Sequence, residues 1–123
     1  MGIPLAAALC LHSGKPLVIG RKREYGLPGE TPIDQSTGYS KGAIYLNDIH
    51  EGDRVFIVDD VVSTGGTLLP ILKGIDSIGA VVADCWIVFE KGEGMNYVRS
   101  HGDWPLNSLV RIEMQGDKVV LLD

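Results

Sequence analysis

Two adjacent aspartates, Asp59 and Asp60, close an apolar run, and after two valines a loop of small residues follows. Val55 to Leu69 reads VFIVDDVVSTGGTLL. An ionised carboxylate only accepts hydrogen bonds and can take two at once. Two neighbouring carboxylates therefore suit a vicinal diol, such as the 2- and 3-hydroxyls of a ribose. In Ser63-Thr64-Gly65-Gly66-Thr67 the two glycines allow positive φ and close backbone approach. The N–H groups of Thr64 to Thr67 can converge on one concavity at the start of a helix, where the positive helix end favours an anion and phosphate is the natural occupant. The hydroxyls of Ser63, Thr64 and Thr67 add donors. The spacing reads as a diol grip followed by a phosphate cradle. The competing reading makes the aspartates mere turn caps; the strand before them and the anion loop after them weigh against it. Other nucleotide motifs fail: Gly14-Lys15 is followed by Pro16 rather than Ser or Thr, and the GEG at Gly92 to Gly94 lacks a third glycine.

These groups need elements to hold them. Arg54 to Val58 reads as a buried strand that ends at the aspartates, and Thr67 to Ile78 as a helix with Gly79 as its C-terminal cap. In an open parallel sheet, ligands bind beyond the carboxyl ends of the strands, and that is where this pattern puts the acid pair. Upstream, Pro4 to Leu11 reads as a helix and Pro16 to Ile19 as a short strand. Residues 21–42 are polar and rich in Gly, Pro, Ser and Thr, and Ala43 to Leu46 reads as a strand folding back on them. A loop that long inside a compact domain is usually functional. Downstream, Val81 to Phe89 reads as a strand and Met95 to Arg99 as a short helix. Leu109 to Met114 and Lys118 to Leu122 read as two strands across a QGD turn. The alternation of strand and helix indicates parallel βαβ units, an α/β fold, and 123 residues fit a single domain, 1–123.

Composition narrows the class. A formal net charge of -5 argues against a general nucleic-acid binder. No apolar run approaches the roughly 18 residues of a membrane span, and the apolar start has no basic region before it, so it does not read as a signal peptide. Cys10 and Cys85 have no CxxC partner and read as reduced core thiols, in keeping with a cytoplasmic protein. Trp86 and Trp104 read as packing residues. His12, His50 and His101 stand in turns without a partner pattern and receive no role.

VFIVDDVVSTGGT resembles the signature of type I phosphoribosyltransferases, enzymes that use phosphoribosyl pyrophosphate. RKREYGLPGE at Arg21 to Glu30 is similar to a segment of the adenine-type branch. LPGETPIDQSTGYSKGAIYLN is more similar to the archaeal hypoxanthine/guanine enzymes of that branch. The resemblance covers Met1 to about Glu93. It implies the type I fold: a central parallel sheet flanked by helices, with a flexible lid over residues 21–42. It implies transfer of phosphoribose to a purine with release of pyrophosphate, a step of purine salvage. Asp59 and Asp60 would hold the ribose hydroxyls as catalytic residues, and Ser63 to Thr67 the 5-phosphate. Arg21, Lys22, Arg23 and Lys41 would meet pyrophosphate from the lid. Phe89 and Lys91 would lie near the base. Mg²⁺ would enter mainly through the substrate's phosphates rather than a protein cage, and a homodimer is the implied assembly.

The chain departs from the family pattern in three places. Ser63 stands where the better-known hypoxanthine-guanine enzymes carry Asp. Gly38 precedes Tyr39 where adenine enzymes carry Glu, so that acid is not obviously replaced, and Glu30 is the candidate substitute. The family's first core strand and part of its hood would precede residue 1, leaving Met1 and Gly2 as the remnant of a pyrophosphate-binding turn. Two other readings stay open: a non-catalytic regulator that binds phosphoribosyl pyrophosphate, and a shortened inactive homologue. Adenine is the alternative base.

Overall fold

The computed structural model describes residues 1–36 and 41–122. The expectation of Gly38-Tyr39 in place of Glu-Tyr lies outside the described residues. α1 (Ile3–Ser13) is followed by an antiparallel hairpin, β1 (Glu30–Ser36) and β2 (Lys41–Asn47). Then come β3 (Arg54–Val62), α2 (Leu68–Ile78), β4 (Val81–Lys91), α3 (Gly94–Arg99), β5 (Leu106–Gln115) and β6 (Lys118–Leu122). The main sheet runs β3-β4-β5-β6; β3, β4 and β5 are parallel, and β6 turns back antiparallel on β5.

α2 is the packing centre. Its apolar residues recur at helical spacing, and Leu68, Leu69, Leu72 and Ile75 are buried. Leu72 and Ile75 are enclosed with Cys85 and Ile87 of β4 and Met95 and Val98 of α3, and full burial of such side chains is worth roughly 1.5–3 kcal/mol each. Gly79 ends the helix in the left-handed region, its N–H donating to the Asp76 and Ile75 carbonyls. The hairpin rests on the same helix. Ile33 lies so close to Gly74 that a Cβ there would fall 2.2 Å from Ile33 Cδ1, so only glycine lets β1 sit this near.

The structure corrects four expectations. Residues 15–20 form no strand; Leu17 and Val18 are exposed. β1 occupies one edge of β2, and the chain reaches the other at a single bridge, Arg21 to Tyr45. The segment 21–42 is not a continuous loop: Glu30 to Ser36 form β1, because Ile33 finds a core place against α2. β3 does not stop at Val58 but runs through the aspartates to Val62, whose side chain is buried. Lys91 is the last residue of β4, paired with Ile112.

Candidate active site at the β3–α2 junction

Consecutive strand residues point to opposite faces, so Asp59 and Asp60 within β3 diverge at their Cβ atoms. Their carboxyls nevertheless interact, and each also accepts from the next backbone N–H: Asp60 N–H donates to Asp59 Oδ1 at 2.9 Å, and Val61 N–H to Asp60 Oδ1 at 2.8 Å. Burial pushes the Asp59 carboxyl above its usual 3.8. The Asp60 N–H opposes that rise, and contact with the neighbouring carboxyl adds to it. Gly2, the N-cap of α1, packs directly on this residue: a Cβ there would meet Asp59 Oδ1 at 2.6 Å and the Val58 carbonyl at 3.1 Å. Below the pair, Cys85 is fully buried and its thiol is pushed up to about 12, first by burial and then by Asp84 and Asp59.

The loop follows at once. Gly65 has φ 79°, a left-handed conformation that glycine adopts without strain. Its carbonyl accepts from Leu69 N–H at 3.0 Å, opening α2, and Gly66 N–H donates to Thr64 Oγ1 at 3.2 Å. Thr67 is the N-cap of α2. Ser63 and Thr64 are exposed. α3 closes the loop from behind: a Cβ on Gly94 would fall 2.1 Å from the Ser63 carbonyl oxygen, and one on Gly65 would fall 2.7 Å from the Gly94 oxygen. Sequence reasoning missed Gly94, weighing it only as part of a failed dinucleotide motif. The available signal was a glycine inside the first turn of a short helix, where its helix propensity is poor.

Arg21 is placed elsewhere. Its guanidinium bonds Asn47 Oδ1 and pairs with Glu30 Oε2 at 3.2 Å, and it lies 4.1 Å over the Tyr25 ring. Glu30 also accepts from the N–H groups of Tyr25 at 3.1 Å and Gly26 at 3.3 Å. The expected pyrophosphate partner and the expected substitute acid thus neutralise each other at the hairpin's base, because a partly buried cation takes the nearest carboxylate. Lys22 and Arg23 are exposed, and Lys41 opens β2 opposite Ser36. Phe89 pairs with Val61, so the base-side candidates Phe89 and Lys91 end the strand next to the acid pair.

A second omission is Glu90, 3 % exposed, between those two and opposite Val62. Two clefts of about 470 and 480 Å³ flank α2, and neither is lined by the acid pair or by residues 63–67. Among the described residues no three His, Cys, Asp or Glu side chains cluster to hold a metal, and no helix is long and apolar enough to cross a membrane.

Residues 1–123 match the family described as "Phosphoribosyl transferase domain". The chain belongs to the phosphoribosyltransferase domain family. It is 50% identical over 122 residues to the hypoxanthine/guanine phosphoribosyltransferase of Methanocaldococcus sp. (strain FS406-22), covering 99% of this chain and 62% of that protein. It is also 50% identical over 122 residues to the protein of that name from Methanocaldococcus jannaschii, 67% of whose length is covered. The chain thus spans a little under two thirds of the first of these relatives. Among solved structures, adenine phosphoribosyltransferase from Thermoanaerobacter pseudethanolicus superposes with a TM-score of 0.76 at 26% identity, over 89% of this chain and 64% of that one. The fold is therefore the type I phosphoribosyltransferase fold, with a parallel sheet flanked by helices.

Proposed function

We propose that the chain is a purine phosphoribosyltransferase, moving phosphoribose from phosphoribosyl pyrophosphate to hypoxanthine or guanine and releasing pyrophosphate. The observation that carries this reading is the junction of β3 and α2: two interacting carboxylates, then a glycine-opened loop at the N-terminus of an eleven-residue helix. The choice of base rests on the hypoxanthine/guanine relatives at 50% identity, against adenine-named structures at 26%. Adenine is the second base.

In this reading Asp59 and Asp60 accept the ribose hydroxyls, and Ser63 to Thr67 hold the 5-phosphate. The bond from ribose C1 to pyrophosphate breaks with its electron pair on the departing oxygen, a purine nitrogen bonds to C1, and the proton on that nitrogen passes to the departing pyrophosphate or to water. Groups aimed at the charge developing on pyrophosphate supply most of the rate. Lys22 and Arg23 are exposed and able to approach it, and Lys41, which opens β2, is the further candidate. Arg21 joins them by leaving Glu30; its Nε and Asn47 Nδ2 are buried without a partner among the described residues, so the present arrangement is not fully satisfied. Phe89 and Lys91 face the base. Magnesium ions on the diphosphate would neutralise its charge, with Asp59 and Asp60 as the nearby oxygen donors. The reading includes a homodimer and a cytoplasmic place in purine salvage.

The test is release of pyrophosphate from phosphoribosyl pyrophosphate on addition of each purine with Mg²⁺. Asp59→Asn and Asp60→Asn are expected to lower turnover by about a hundredfold or more; full activity in both would sink the assignment. The engagement of Arg21 by Glu30 favours a second reading, a protein that binds phosphoribosyl pyrophosphate without turning it over. Calorimetric binding with no turnover of hypoxanthine, guanine or adenine would select it.

A further inference from the structure

Glu90 is a carboxylate inside the core, on β4 opposite Val62, the last residue before the loop that starts at Ser63. Three groups reach it. Ser108 Oγ on β5 donates to Oε2 at 2.7 Å. Oε1 faces Nη1 of Arg99, the last residue of α3, at 3.5 Å, and Nε of Arg111 on β5 at 3.9 Å. A buried carboxylate is costly unless paired and hydrogen-bonded, and a well-packed apolar residue often serves stability as well or better. An apolar residue cannot attract the Arg99 guanidinium.

That attraction matters because of what α3 touches. The helix has six residues: Met95 and Val98 bury one face in the core, and Arg99 ends the helix at the surface. Arg99 Nη1 also donates to Asn96 Oδ1 at 3.1 Å, and Asn96 Nδ2 to Glu93 Oε2 at 2.7 Å. Glu90, Arg99, Asn96 and Glu93 thus form one chain of contacts along the exposed face of α3, ending at the residue before Gly94. Gly94 is the piece in backbone contact with Ser63 and Gly65, and Val98 presses on Gly65 from the next turn.

We propose that Glu90 is a positioning residue for the phosphate loop: through Arg99 it orients α3, and Gly94 of α3 holds Ser63 to Gly65 in the shape that receives the 5-phosphate. This rests on the function proposed above. The experiment is calorimetric titration of the full chain with phosphoribosyl pyrophosphate and Mg²⁺, with steady-state kinetics and melting curves alongside. Glu90→Gln and Arg99→Met are expected to bind about tenfold more weakly and to raise KM for phosphoribosyl pyrophosphate with kcat largely kept. Arg99→Met takes one of two cations from the buried carboxylate, so its melting temperature falls and its affinity is read per folded molecule, whereas Arg99→Lys restores affinity to within about threefold. Arg111→Met, which removes a partner on β5 rather than α3, binds within about twofold of wild type.

Wild-type affinity in both Glu90→Gln and Arg99→Met would overturn the inference. So would an affinity loss in Arg99→Met that only tracks a loss of folded protein. An equal loss in Arg111→Met would overturn the route through α3. If the wild-type chain itself bound no phosphoribosyl pyrophosphate, the proposed function would fall and this inference with it; binding by wild type with unaffected variants removes the inference alone.

Discussion

Asp59, a residue of the proposed site, works against the fold that carries it. Its folded-state carboxyl titrates above 3.8 because burial and its neighbour Asp60 disfavour the charge. A group raised in this way contributes stability that is present below the unfolded value, about pH 4, and lost as the pH rises through the folded one. At neutral pH the ionised side chain is therefore a cost. Asp59→Asn is expected to raise the melting temperature at neutral pH while lowering turnover, and the gain should vanish in acid, where the wild-type carboxyl is protonated too; melting curves at both pH values check it. Gly65 is strained for any other residue. Gly65→Ala has to adopt φ 79° and displace Val98, so it should cost about 1–3 kcal/mol by denaturant titration and abolish phosphate binding. The placement of the aspartates and Gly65 at the junction of β3 and α2 was legible in the sequence because it is carried by residue type at short spacing. Glu90 was not. Inside the apolar run VVADCWIVFEK its partners Arg99, Ser108 and Arg111 lie far along the chain, and no local pattern announces them.

Among the elements, the hairpin carries the largest revision. Its turn composition marks a loop, yet Ile33 gains a buried site against Gly74, and tertiary burial overrides local preference. Gly74→Ala improves helix propensity by about 1 kcal/mol in isolation, but the added methyl meets Ile33. The variant is therefore expected to melt below wild type, and a double-mutant cycle with Ile33→Val to show non-additivity, since a shorter side chain relieves the clash. At the base of the same hairpin, Glu30 gathers Arg21 and two backbone N–H groups. Glu30→Gln weakens that knot. Limited trypsin digestion should then cut after Lys22 and Arg23 faster than in wild type, since cleavage of a locally opened segment follows its open population.

At the scale of the molecule, Cys85 reports on the core as a whole. It is fully buried with its thiol pushed up to about 12, whereas Cys10 sits half-buried on α1. Thiol reagents require an exposed thiolate. At neutral pH one cysteine should react in the native protein and the second only at the rate of global unfolding, which stopped labelling at increasing denaturant measures. α1 has no buried residue, and Ile3, Leu9 and Leu11 are exposed along it; sedimentation at micromolar concentration should find the proposed dimer, and a monomer there would remove it. The βαβ order, α2 with its Gly79 cap, and the acid-glycine junction could be read from the chain alone, because each depends on neighbours within a few residues and on periodicity. The pairing of Arg21 with Glu30 and Asn47, the seat of Ile33 on Gly74, and the close approach of Gly94 to Ser63 and Gly65 came only with the tertiary structure. Those contacts join residues distant in sequence, and which of several available partners a charge or an apolar side chain meets is settled by how the layers pack.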